Sequence, residues 1–125
     1  MLLTLIGFIL TAAMDSVYLT LNAGMYKPIL DPRQKLNLVY GVLAWLTIAV
    51  SIRWIVLSRP DVTRSNVFSY GAMLGFAMYA LYNFTNASTY PDKWSNTIIL
   101  GDTAWGTLLT GTVAYAMFRI KKMLG

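Results

Sequence analysis

Four long apolar stretches, roughly residues 2 to 24, 37 to 57, 65 to 88 and 97 to 118, leave this chain only three short connections and a basic tail. Each stretch is near the ~20 residues that a helix needs to cross a hydrocarbon core. All four prolines, Pro28, Pro32, Pro60 and Pro91, fall between the stretches, where a missing N–H and a fixed φ do no damage to helical hydrogen bonding. From Ser65 to Pro91 there is no charged residue, which is difficult to reconcile with an amphipathic helix on a soluble bundle. Strands are a poor fit, because the runs are too long and lack alternation. The expected fold is therefore all-α: a polytopic membrane protein, residues 1–125 forming a single transmembrane domain built as a four-helix up-down-up-down bundle.

Composition narrows the function classes. With 57% hydrophobic and 12% charged residues, a soluble domain would lack the polar surface to cover itself. The net charge of +5 reads as positive charge flanking a lipid bilayer rather than as a nucleic-acid footprint, since no basic face with interleaved aromatics is visible. Zero cysteines and zero histidines remove disulfides, thiolate chemistry, the usual haem ligands and the commonest zinc sites. No cofactor and no metal is expected.

The first stretch carries small residues at Thr11-Ala12-Ala13, as a secretory signal would, but no positive segment precedes it and apolar residues continue to Leu21. It reads as a retained span. Six Lys and Arg lie near the membrane on the side of the termini (Arg53, Arg59, Arg64, Arg119, Lys121, Lys122) against four on the other (Lys27, Arg33, Lys35, Lys93). The positive-inside rule thus places both termini in the cytoplasm. Arg53, about one turn from the end of its span, can snorkel to the head groups.

Asp15 and Asp102 break the pattern, being carboxylates stranded inside apolar stretches. Such a group at the centre of a bilayer costs roughly 2.5 to 3.5 kcal/mol on insertion scales, so a chain that keeps two has a use for them. In an up-down-up-down arrangement Asp15, Asn83, Asn86 and Asp102 share one half of the bilayer; at about 1.5 Å per residue Asp102 and Asn83 sit roughly 7 Å from the far face and Asp15 roughly 13 Å. Asp15, Tyr18 and Asn22 follow i, i+3, i+7 spacing, and Tyr79, Asn83 and Asn86 follow i, i+4, i+7, so each set lines one helical face. A polar site of Asp15, Tyr18, Tyr82, Asn83, Asn86, Asp102 and Trp105 is expected, with the tyrosines and the indole as apolar-bodied donors. The bland alternative is interhelical hydrogen-bond glue, worth about 0.6 kcal/mol per contact.

Smaller signals add less. Gly71 and Gly75 form a G-x-x-x-G suited to close helix approach, within the chain or between copies in a homo-oligomer or with another membrane protein. Asn83-Phe84-Thr85 and Asn86-Ala87-Ser88 match the glycosylation pattern, but their place inside or at the edge of the bilayer argues against modification.

The run Tyr82-Asn83-Phe84-Thr85-Asn86-Ala87-Ser88-Thr89, followed by Asp102-Thr103-Ala104-Trp105-Gly106-Thr107, resembles the predicted membrane proteins grouped as domain of unknown function 2177. That family pattern reads Y-D-x-T-N-x-A-T, then D-x-x-W-G-T, with an early L-D-x-x-W-L. Met14-Asp15-Ser16-Val17-Tyr18-Leu19 stands in the early position, with tyrosine in place of tryptophan. Asn83 stands where the pattern has aspartate, so the chain lacks one acidic group of the shared motif. The resemblance covers nearly the whole chain and implies a four-helix membrane protein, without implying an activity.

Tyr82-Asn83 and Leu100-Gly101-Asp102 look like fragments of the Y-D and G-x-G-D motifs of intramembrane aspartyl proteases, whose two carboxylates share a proton to activate water. Both motifs are broken: Asn83 supplies no carboxylate, and Ile99 stands where the first glycine belongs. Catalysis is not the expected function. Two readings remain, a buried polar site that binds or passes a proton, ion, polar solute or lipid head group, and a structural component of a membrane assembly such as a viral internal membrane, in which the loops and basic tail matter.

Overall fold

A computed structural model describes all 125 residues and contains no strand. Four long helices carry the chain: α1 (Leu2–Leu21), α3 (Leu38–Ser51), α4 (Val67–Thr89) and α5 (Asn96–Leu124). A short α2 (Ala23–Tyr26) and a 3-10 turn (Lys27–Ile29) follow α1, and a π-turn (Ile52–Val56) continues α3. At the starts of α3 and α5 a side chain takes up an orphan N–H group. The Asn37 side chain accepts from the Val39 amide at 3.1 Å, and the Ser95 hydroxyl accepts from the Ile98 amide at 3.3 Å. Every proline lies outside the four long helices, as the stretch boundaries predict.

Helix α5 lies at the centre. It runs antiparallel to α4, since Gly71 faces Ala114, Gly75 faces Gly106 and Asn83 faces Asp102. It also runs antiparallel to α1, with Gly7 against Met117 and Asp15 against Trp105. Glycine makes the first contact close. A Cβ at Gly71 would lie 2.5 Å from Ala114 Cβ, and one at Gly75 would run into the Gly106 carbonyl oxygen and the Thr110 side chain. The Gly71 and Gly75 stripe is therefore covered by α5 within the chain.

The two ends of the molecule differ in chemistry. Toward the termini, Leu3, Ile52, Val56, Leu57, Leu109, Val113 and Met117 pack into one apolar core. The π-turn serves that core: its wider i to i+5 bond, from the Leu57 amide to the Ile52 carbonyl at 2.9 Å, helps place Ile52, Val56 and Leu57 all at the buried face. Toward the other end the interface turns polar.

Only 23 of the 125 residues are buried, and large apolar side chains such as Leu5, Ile9, Leu46, Phe76, Leu81 and Leu108 point outward from all four long helices. Soluble monomers rarely leave so many large apolar side chains exposed. Two helices, Leu2–Leu21 and Leu38–Val56, are each long and apolar enough to cross a membrane, both with a mean hydropathy of 1.8. Helices α4 and α5 are longer, but the Gly, Thr and Asn residues through which they meet dilute their hydropathy.

Candidate functional site

Asp15 and Asp102 stand on the wall of one cavity of about 400 Å³, whose lining includes Thr47, Met78, Tyr79 and Tyr82. Helices α1 and α5 contribute the carboxylates, and α3 and α4 supply the flanking walls. The only substantial approach of the α3 segment to α4 is made by its π-turn, so the two helices stand apart where the cavity lies. Tyr82 is half exposed beside it.

All four carboxylate oxygens are engaged, each by one uncharged donor. Trp45 Nε1–H donates to Asp15 Oδ2 at 2.8 Å and Trp105 Nε1–H to Oδ1 at 2.9 Å. The Tyr26 hydroxyl donates to Asp102 Oδ1 at 2.8 Å and Asn83 Nδ2–H to Oδ2 at 2.8 Å. These bonds fix both carboxylates in orientation while leaving each oxygen a second lone pair. No cation joins them. The ion pairs of the molecule are Arg33–Asp31 and Arg59–Asp61, both in connecting segments.

A second layer joins the two carboxylates. The Tyr18 ring stacks on Trp105 with centroids 4.4 Å apart, and its hydroxyl lies 3.0 Å from that of Tyr26. Tyr26 has a single proton, which the carboxylate attracts more strongly than a neighbouring phenol does, so Tyr18 turns its own proton toward Tyr26 or the Gly101 carbonyl, 3.4 Å away. Burial, reinforced by the contacts with Tyr18 and Asp102, pushes the Tyr26 hydroxyl well above the usual tyrosine range, so it remains a donor. On the other side, Asn83 is fully buried, and its Oδ1 accepts from Trp94 Nε1–H at 3.0 Å. Its Nδ2 also reaches the Tyr79 carbonyl at 2.8 Å and Thr103 Oγ1 at 3.2 Å.

Of the residues singled out from sequence, Asp15, Tyr18, Asn83, Asp102 and Trp105 meet in this network. Tyr82 borders the cavity and sets its ring edge-on to Trp94, centroids 6.0 Å apart. Asn86 lies apart, its amide bonded back to the Tyr82 carbonyl of its own helix at 2.8 Å. Sequence reasoning missed Tyr26, Trp45 and Trp94. The signal available was a shortage of donors: two carboxylates in apolar helices need N–H or O–H partners, and in a chain without histidine the indoles and phenols are the bulky side chains able to supply them. No three acidic, histidine or cysteine side chains converge as a metal cage would require.

The family model for predicted membrane proteins designated DUF2177 matches residues 1–119. The chain belongs to that family. The match takes in both carboxylates and every partner of the network, which is thus built wholly from DUF2177 sequence. No curated protein and no solved structure matches the chain.

Proposed function

We propose that α1, α3 with its π-turn, α4 and α5 all cross a bilayer as one domain, with the termini on the cytoplasmic side, and that the acidic cavity reversibly binds a small cation. The outward apolar residues of α4 and α5 support four crossings. The excess of Lys and Arg at the end bearing the termini supports the orientation. One observation carries the binding reading: two carboxylates line a single cavity, and all their partners are neutral.

An isolated carboxylate in a low-dielectric interior is costly unless a counter-charge or a proton accompanies it. The remaining lone pairs of Asp15 and Asp102 are the natural acceptors for a cation, and the proton is its competitor. The aromatic rings of Tyr79 and Tyr82 on the same wall suit an organic ammonium, whose charge is attracted by a π-face. Passage of the bound ion would use the same groups. The alternative of a purely structural part in a membrane assembly, a viral internal membrane included, leaves the cavity and its charge without a task.

Purified protein in detergent is to be titrated with tetramethylammonium and, separately, with neutral tert-butanol, following thermal unfolding. Tetramethylammonium is expected to stabilise the wild type and not the Asp15→Asn/Asp102→Asn variant. An equal response of both proteins, or an equal effect of the neutral compound, would refute the reading.

A further inference from the structure

The opposite end of the molecule holds a second, basic site. Arg53, Trp54, Leu57, Lys121 and Leu124 border a cleft of about 400 Å³ between the π-turn and the end of α5, with Leu3 of α1 at its side. Arg59, Leu57, Phe118, Lys121 and Lys122 border a neighbouring cleft of about 540 Å³. Leu57 and Lys121 belong to both clefts, so the two meet there. Lys121 is held in place by donating from Nζ to the Leu57 carbonyl at 3.3 Å, one of the carbonyls freed as the α3 segment ends. An ammonium has three protons, so two remain for a ligand.

The charge balance is one-sided. Six Lys and Arg gather at this end against a single acidic side chain, Asp61, which is already engaged by Arg59 at 3.1 Å. Arg53, Lys121 and Lys122 have no carboxylate partner. The remaining walls are apolar and outward facing: Trp54 is 69% exposed and Leu124 61%. Unpaired cations beside an exposed indole, at the end of helices apolar enough to cross a membrane, match a phosphate joined to hydrocarbon better than a nucleic acid or an acidic protein.

We propose that these paired clefts bind the head group of an anionic phospholipid, its phosphate between Arg53 and Lys121 and its glycerol and upper acyl carbons against Trp54, Leu3 and Leu124. The clefts recognise a phosphate anion, and a phospholipid supplies it. The π-turn gives the site its shape by burying Ile52, Val56 and Leu57 while Trp54 stays outside.

The test is retention of lipid by the full chain, purified from mixed phosphatidylglycerol and phosphatidylcholine micelles and read by native mass spectrometry. The wild type is expected to keep phosphatidylglycerol in preference to phosphatidylcholine. Arg53→Gln/Lys121→Gln is expected to retain it about tenfold more weakly. The charge-preserving Arg53→Lys/Lys121→Arg variant keeps most of the preference, which separates loss of charge from loss of fold. Lys93→Gln, at the far end, leaves it unchanged. Retention that survives the double glutamine change, that falls equally with Lys93→Gln, or that millimolar inorganic phosphate abolishes would overturn the proposal, the last by making free phosphate the ligand.

Discussion

Asn83 donates from Nδ2 to Asp102 Oδ2 at 2.8 Å across the α4–α5 interface, while its own Oδ1 accepts from Trp94 at 3.0 Å. One amide therefore meets an acceptor on α5 and a donor from the connection that precedes it. An unprotonated carboxylate at that position could satisfy Trp94 but not Asp102, because it has no hydrogen to give. Asparagine, unlike aspartate, therefore serves both contacts at position 83.

Asn83→Leu removes both functions at once and leaves a carboxylate oxygen and an indole N–H short of a partner. Unpaired buried polar groups cost about 1–3 kcal/mol each, and the lower figure applies where helices in detergent or lipid find substitute partners. A clear loss of thermal stability is expected, read as the midpoint of tryptophan fluorescence in detergent. A midpoint equal to that of the wild type would mean that the interface does not need the amide.

Close packing of α4 on α5 predicts a contrast between glycines. A Cβ at Gly75 would meet the Gly106 carbonyl oxygen, a backbone atom that cannot swing aside, whereas a Cβ at Gly24 or Gly41 meets nothing within 4 Å. Gly75→Ala is expected to destabilise by about 1–3 kcal/mol through forced separation of the helices. Gly24→Ala is expected to be neutral or slightly stabilising. Unfolding midpoints of the two variants, measured side by side, check the difference.

Much of this architecture is legible in the sequence because each level of signal agrees. Proline placement, the uncharged run from Ser65 to Pro91 and the lengths of the apolar stretches all mark the same helices, within a few residues except where α5 runs on to Leu124. The carboxylates stand out because a charge inside an apolar stretch is costly. Their donors do not, since Trp45 reads as one more apolar residue of its stretch, and Tyr26 and Trp94 read as loop aromatics. The aromatic side chain that lends apolar surface to one argument lends an N–H or O–H to another, and only geometry distinguishes the two. The π-turn has no sequence signature of its own. It arises where Ile52, Val56 and Leu57 meet the core together.

Asp61 offers a pH test outside the spans. Hydrogen bonds from Arg59, then from Tyr70, hold its carboxyl below the usual carboxylate range. A depressed folded value contributes stability that is full above the unfolded value of about 3.9 and is lost as pH falls through the folded value. Asp61→Asn is therefore expected to be less stable than the wild type at pH 7, with the gap closing below about pH 4. Because the pair is exposed, the gap is small and shrinks in molar salt. Midpoints measured at pH 3, 5 and 7, at low and high salt, decide it.

Tyr26 titrates in the opposite sense. Burial raises its hydroxyl above the usual value near 10, and the hydrogen bond that it donates to Asp102 exists only while it is protonated. A raised folded value contributes stability that is full below the unfolded value and is lost as pH climbs through the folded one. Tyr26→Phe removes the hydroxyl and keeps the ring, so it cuts the link between Tyr18 and Asp102 while leaving the edge contact with Tyr18, centroids 6.2 Å apart. The deficit of Tyr26→Phe relative to the wild type is expected to be constant from pH 6 to 9, since the hydroxyl stays protonated throughout. Were the two proteins equally stable across that range, the phenol would have no part in holding the carboxylate. Were the deficit to shrink already near pH 8, the donor would be losing its proton too early for the half-buried position that the structure gives it.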